Sequence, residues 1–245
     1  MPTALVTGAN KGIGLEVARQ LTQQGFFVYL GSRDLAAGQA AAQQLHATGL
    51  PEVEAVQLDV TDPTSIRAAR ATIGAKTPVL DVLVNNAGIS GGNAQSARHT
   101  TLDQYQAVFA TNVFGVAGVT QAFLDLLEQS PQPRIVNVST AMASLTLFEN
   151  FDNDNFVFRV PVYQASKAAL NMYTLNLAYE LRATPFKVNA VCPGYTPTDF
   201  TGHQGTSTVE QAGQRIAKYA LLGPEGPTGQ YFSEEYFPAP ATCPW

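Results

Sequence analysis

The chain has 245 residues, 45% of them hydrophobic, enough to build one large α/β domain around a sizeable core. Its 14 basic and 19 acidic residues give a formal charge of −5 with no lysine- or arginine-rich run, which argues against nucleic acid as a partner. No apolar run approaches the roughly 20 residues of a membrane span, and no basic-then-apolar leader precedes Thr3, so a cytoplasmic protein without a membrane partner is expected.

Residues 4–7 read as a short buried strand, followed by Gly8-Ala9-Asn10-Lys11-Gly12-Ile13-Gly14. A helix comes next, with Ile13, Val17, Ala18 and Leu21 on one stripe, and stops near Gly25. Residues 26–30 form a second apolar strand, and Asp34 starts an alanine- and glutamine-rich helix that ends near Gly49 and Pro51. A strand (53–58), a short helix (64–73) and another buried strand (80–84) complete the first half. In the second half, residues 101 to about 128 are helical with a break or bend inside, and 135–138 form a strand. A long helix (162–182), a strand (186–191), a helix (206–221) and a last strand (226–232) follow.

Short, apolar, β-branched strands alternate with helices along the whole chain, the pattern of a mostly parallel sheet covered on both faces. This predicts an α/β, doubly wound, Rossmann-type fold in a single domain spanning 1–245. Residues 145–160 stand apart: phenylalanine-rich, with Asn and Asp and little helical periodicity, they read as a loop or small lobe beside the carboxyl ends of the strands. Cys192 and Cys243 have no metal-like spacing, and His46, His99 and His203 lie far apart, so neither a disulfide framework nor a metal site is expected.

The glycines after the first strand let the backbone approach a phosphate and lead into a helix whose free N–H groups attract one. The pattern Thr7-Gly8-x-x-x-Gly12-x-Gly14 departs from the usual dinucleotide fingerprint. The second strand ends Gly31-Ser32-Arg33-Asp34, without the acid expected to hold an unphosphorylated adenosine ribose. Arg33 can set a rigid fork on a 2′-phosphate; Lys11 can reach the same phosphate, and Ser32 can donate to it. Two cations and no acid favour NADPH/NADP+ over the unphosphorylated cofactor, with Asp34 read as a helix N-cap. Asp59-Val60 after the third strand can meet the adenine edge, and Asn85-Asn86-Ala87-Gly88 after the fourth can let the chain pass close to the cofactor.

Tyr163-Gln164-Ala165-Ser166-Lys167 opens the long helix, and at a spacing of four Tyr163 and Lys167 share a face. A phenol titrates near pH 10, and a neighbouring ammonium lowers that value. Tyr163 can then give a proton to a carbonyl oxygen as hydride reaches the carbon, or take one from an alcohol. Ser139 ends a strand at the same rim and can stabilise charge on the substrate oxygen. Asn112, an amide in an apolar helical stretch, either bonds backbone or holds water in a proton path to Lys167. Pro193, Gly194, Thr196 and Thr198 follow a late strand and can fix the nicotinamide amide and the pyrophosphate.

Taken together these residues resemble the short-chain dehydrogenase/reductase superfamily, of the classical type. Thr7 to Gly14 resembles its cofactor motif and Asn85-Asn86-Ala87-Gly88 its sheet-stabilising motif. Asn112, Ser139, Tyr163 and Lys167 match its catalytic tetrad, and Pro193-Gly194 its late cofactor motif. The likeness covers nearly the whole chain. It implies Tyr163 as general acid or base and Lys167 as the group that lowers its pKa and bonds the nicotinamide ribose. It further implies that Ser139 polarises the substrate, that Asn112 supports the proton relay, and that hydride moves directly, without a metal. Asn10-Lys11-Gly12-Ile13-Gly14 with Ser32-Arg33 is most similar to the NADPH-dependent carbonyl reductases, which implies a small-molecule ketone or aldehyde as substrate.

Ser139 and Tyr163 are 24 positions apart, wider than the family pattern, and the surplus falls on the phenylalanine-rich segment. It is read either as a pocket wall of Phe148, Phe151, Phe156 or Phe158 or as a cover for a helix face otherwise used in self-association. An NAD(P)-dependent alcohol or steroid dehydrogenase and a non-catalytic dinucleotide-sensing or scaffold protein stand as the alternative functions.

Overall fold

A computed structural model describes residues 1–92, 95–151 and 158–245. Among them, seven strands lie in one sheet in the order β3-β2-β1-β4-β5-β6-β7, every neighbouring pair parallel. The strands are β1 (Thr3–Thr7), β2 (Phe27–Ser32), β3 (Val53–Gln57), β4 (Val82–Asn85), β5 (Arg134–Val138), β6 (Lys187–Val191) and β7 (Tyr231–Phe232). The chain runs outward from β1 to β3, then crosses back to β4 and continues the other way. That reversal opens a crevice above the carboxyl ends of β1 and β4, where ligands of such sheets bind.

The helices are α1 (Gly12–Gln23), α2 (Leu35–Ala47), α3 (Pro63–Gly74), α4 (Leu102–Phe109), α5 (Val116–Leu127), α6 (Leu145–Glu149), α7 (Pro161–Glu180) and α8 (Val209–Ala220). Ala4 and Val6 of β1 pack with Val17 and Leu21 of α1 and Ile216 of α8. Leu5 between them packs with Ile73 of α3 and Phe123 of α5 on the opposite face. A strand buried on both sides has no polar face to alternate with, so β1, β2 and β4 read as continuous apolar runs.

Side chains close most helix starts. Asp34 caps α2, Asp62 caps α3 ahead of Pro63, and Thr101 with Gln104 and Thr208 with Gln211 form capping boxes on α4 and α8. Between α4 and α5 the helix widens into a π-helical turn, Ala110–Gly115, which is the bend expected from the sequence.

Three expectations are corrected. The helical run Leu102–Leu127 is long and apolar enough to cross a membrane. Its Val119, Phe123 and Leu127 are nevertheless fully buried in the cluster beneath the sheet, as in a core helix. The segment expected to be a loop begins with α6, a helix of five residues, too short to show a period in sequence. The last strand spans only Tyr231–Phe232. Residues before it turn through Gly229, and the Asn189 side chain holds the Pro227 carbonyl and the Gln230 amide.

Candidate active site

The glycine turn sits at the mouth of the crevice. The Ala9 amide donates to the Gly31 carbonyl, and the Asn86 side chain donates to the carbonyls of Thr7 (2.9 Å) and Gly8 (3.2 Å). Thr7 Oγ1 in turn accepts from the amides of Asn86 and Ala87. A Cβ at Gly14 would stand 2.5 Å from both the Gly8 carbonyl oxygen and Asn86 Nδ2, so only glycine fits there. Lys11 occupies the N-cap position of α1 but makes no side-chain cap, which leaves the first amides of that helix for an anion. A tight glycine turn beneath an uncapped helix end, over the switch point of the sheet, fits the pyrophosphate of a dinucleotide. Ile13 packs partly on the core, and Asn10 lies half-buried in the turn.

Farther along the crevice, Arg33 is exposed at the tip of β2. Asp34 turns away from it to cap α2, accepting from the amides of Ala36 (2.9 Å) and Ala37 (3.2 Å), as expected. Ser32 does not serve a phosphate: it is buried, and its hydroxyl donates to the Asp34 carbonyl. Lys11 Nζ pairs across the crevice with Asp199 at 2.6 Å. The Asp59 carboxylate accepts from the amide and hydroxyl of Thr61, and Val60 is buried in the core. Asn85, expected at the cofactor, has its side chain turned into the sheet, donating to Thr120 and Asn137. Its neighbour Asn86 is the residue that ties the glycine turn.

The reacting end is built by one face of α7 lying on one face of β5. Alternate strand residues Asn137 and Ser139 point to the helix. Asn137 Nδ2 donates to Thr174 Oγ1 (2.9 Å), and Ser139 Oγ donates to Asn171 Oδ1 (2.6 Å). One turn nearer the rim, Lys167 Nζ donates to the Val138 carbonyl (2.7 Å). One turn further, the half-buried Tyr163 ring lies against Phe200, with centroids 5.4 Å apart. Tyr163, Lys167 and Asn171 thus step up the helix every four residues, a polar stripe on a face that would otherwise be core. Asn112, in the π-helical turn, exchanges hydrogen bonds with the backbone of Ile89 and donates to Ser166 Oγ. A Cβ at Gly88 would lie 3.3 Å from Asn112 Oδ1 and 3.6 Å from Lys167 Nζ, so Gly88 keeps this corner open.

Burial sets the titration here. It pushes the Lys167 ammonium down to about 8. It pushes the Tyr163 phenol upward, the nearby Cys192 adding to the rise and a hydrogen bond from Thr140 opposing it. In net direction, burial outweighs the lowering of Tyr163 expected from the Lys167 ammonium. The ammonium stands 6.0 Å from the ring centre and is itself disfavoured by the same burial.

The late motif is braced from outside. Gly194 has φ +90, and Arg215 reaches past it to the Pro193 carbonyl (2.7 Å). Glu235 accepts from the Tyr195 amide and from the hydroxyls of Thr206 and Ser207, gathering both ends of the segment that carries Thr196 and Thr198. Thr196 is buried with its hydroxyl on the Gly194 carbonyl, and Thr198 faces the position of a Gly12 Cβ at 3.5 Å. Gln95 accepts from the Val162 and Tyr163 amides and so caps α7 from a distant loop. None of Gln95, Arg215 and Glu235 is marked in sequence, because each acts on residues far along the chain. Asn171 continues the four-residue step of Tyr163 and Lys167, a signal that was present. Phe148 packs on the small cluster around Tyr231 with the Arg159 guanidinium over its ring, Phe151 and Phe158 are exposed, and Phe156 lies outside the described residues.

The profile of the short chain dehydrogenase family matches residues 2–208. The chain is 35% identical to (-)-isopiperitenone reductase of Mentha piperita, over 95% of this chain and 96% of that one. Its fold is similar to NADPH-bound carbonyl reductase from chicken fatty liver, with TM-score 0.85 and 29% identity, covering 100% of this chain and 99% of that chain. Salutaridine reductase from Papaver somniferum has TM-score 0.84 and 29% identity over 95% of this chain and 100% of its own. Together with the glycine crevice and the Tyr163–Lys167 face, these full-length likenesses make the chain a member of the short-chain dehydrogenase/reductase family, a nicotinamide-dinucleotide oxidoreductase of small carbonyl or alcohol compounds.

Proposed function

We propose that the protein reduces an apolar ketone or aldehyde with NADPH, Tyr163 donating the proton. The observation that carries this reading is the α7–β5 face, which gathers Ser139, Tyr163 and Lys167 beside the open corner at Gly88. The bound cofactor supplies the hydride. Tyr163 carries the proton destined for the carbonyl oxygen, Lys167 stabilises negative charge as that proton leaves, and Ser139 receives the substrate oxygen. Asn112 fixes the backbone at Ile89, which edges the same corner. The relatives named above are reductases by name, which favours this direction over alcohol oxidation.

The test is turnover of a panel of ketones and aldehydes with NADPH and NADH side by side. Strong NADPH preference with apolar substrates is expected; preference for NADH, or oxidation of alcohols only, would overturn the reading. Because Lys11 is engaged by Asp199, Arg33→Ala is expected to lower the NADPH/NADH ratio of kcat/KM by about 10–100-fold, the loss of a charge-assisted pair. Lys11→Ala is expected to lower it less, and an unchanged ratio in Arg33→Ala would remove the phosphate role.

The pH dependence follows from the two buried groups. Tyr163, raised by burial, keeps its proton across the neutral range, so it sets no limb there. Lys167, lowered to about 8, loses its charge as pH rises through that value. The reduction rate at saturating substrate is expected to be level below pH 8 and to fall above it. A limb rising with pH through 8 would contradict the role of the ammonium.

A further inference from the structure

Ser139 has a single proton, and in this structure that proton goes to Asn171: Oγ donates to Oδ1 at 2.6 Å. In this arrangement Ser139 offers a substrate oxygen nothing to accept. The same carboxamide carries an unmet need. Asn171 is 4% exposed, and its buried Nδ2 has no hydrogen-bond partner among the described residues. A buried donor left unpaired is costly, because it has lost its water without gaining a partner. Turning the carboxamide by half a turn exchanges oxygen and nitrogen with almost no change of shape. Nδ2 then donates to Ser139 Oγ and the serine proton is released toward the crevice, while Oδ1 takes the unpaired place, where a carbonyl oxygen is tolerated better than an N–H.

We infer that Asn171 is a positioning residue for reduction: its amide, donating through Nδ2, sets Ser139 as the hydrogen-bond donor to the substrate oxygen. The chain of donors runs from Asn171 Nδ2 to Ser139 Oγ and from Ser139 to the carbonyl, each bond polarising the next. Asn171 touches neither substrate nor cofactor and works through Ser139. The placement is rigid, because Asn137 and Thr174 make the same strand-to-helix contact one step below and Lys167 with Val138 one step above. The inference rests on the reductase reading and adds to it a residue that fixes the polarity of the serine.

The decisive variant is Asn171→Asp, equal in shape but, when ionised, able only to accept. It holds the Ser139 proton away from the substrate. At neutral pH kcat is expected to fall about tenfold or more, the worth of about one hydrogen bond, with the KM for NADPH unchanged. The loss should shrink as pH falls and the new carboxyl gains a proton to donate. The titratable groups at this corner include Tyr163 and Lys167 on α7, Cys192 after β6 and Tyr231 on β7. Their contribution is removed by comparing each variant with its parent at every pH.

In a Ser139→Ala background, Asn171→Asp should change kcat less than about twofold, since the residue acts through the hydroxyl. An undiminished kcat in Asn171→Asp, or an equal loss in both backgrounds, would overturn the inference. If Asn171→Asp fails to bind NADPH, Asn171→Leu is read in the same cycle: a loss in the Ser139 background only supports the inference, and any other pattern overturns it. A wild-type protein that reduces no carbonyl would instead overturn the reductase reading. Wild-type activity that Ser139→Ala abolishes but Asn171→Asp spares would sink the inference alone.

Discussion

Replacing Tyr163 by phenylalanine is expected to lower kcat for carbonyl reduction by a factor of about 10²–10⁴, the usual worth of a positioned proton donor. NADPH affinity should be nearly unchanged. The substitution removes one oxygen and leaves the ring, which keeps its place against Phe200. The start of α7 is held without the hydroxyl, by Pro161 at the first turn and by Gln95 accepting from the Val162 and Tyr163 amides. No neighbour replaces the proton readily, since burial pushes the Cys192 thiol above its usual range. Lys167 remains bonded to the Val138 carbonyl, so the cofactor side of the site is preserved. Steady-state rates and a fluorescence titration of NADPH, run on the same preparation, separate the two quantities. A kcat within a few-fold of the parent would remove Tyr163 from the role of acid.

Gly14→Ala is expected to cost about 1–3 kcal/mol of folding stability, the range for forcing a methyl into a packed site. It should also weaken dinucleotide binding about 10–100-fold. The added Cβ would meet the Gly8 carbonyl oxygen and Asn86 Nδ2 at 2.5 Å and Ala9 Cα at 3.1 Å. Two of these are backbone and cannot swing aside. The third, the Asn86 amide, holds the Thr7 and Gly8 carbonyls, so moving it unties the turn from β4. The same shift spreads the amides at the start of α1 that would face the pyrophosphate. Thermal unfolding with and without NADPH reads both effects. An unaltered melting temperature together with unaltered NADPH binding would show that this close approach is not needed.

Much of this architecture was legible because parallel strands buried on both faces are written as uninterrupted apolar runs. β1, β4 and β5 could be found that way, and a polar residue at the end of such a run had to lie at the rim. That is how Ser139 could be placed, and the four-residue spacing placed Tyr163 with Lys167. The remainder depended on partners that local sequence does not name. Asn85 and Asn86 are chemically alike and adjacent, yet alternation along β4 sends one amide into the sheet and the other to the glycine turn. Lys11 was available to a phosphate by sequence, while its pairing with Asp199 joins residues brought together only by the fold. The direction of the Tyr163 shift depended on how deeply α7 is covered, which no spacing encodes. The five residues of α6 were too few for a helical period to emerge.

The π-helical turn Ala110–Gly115 has one more consequence. A wide turn of this kind is an α-helix that holds one residue too many. Each residue of an α-helix turns the chain by about 100°, so the helix before the extra residue and the helix after it are out of phase by about that angle. Here the slip lets α5 keep Val119, Phe123 and Leu127 in the core while Asn112 faces Ile89 and Ser166. A single-codon deletion within the turn would bring the two halves into phase and make a smoother, more regular helix. It would also carry the Asn112 amide off the corner between Gly88 and Lys167, so chain length at this point, as much as the identity of the asparagine, belongs to the site.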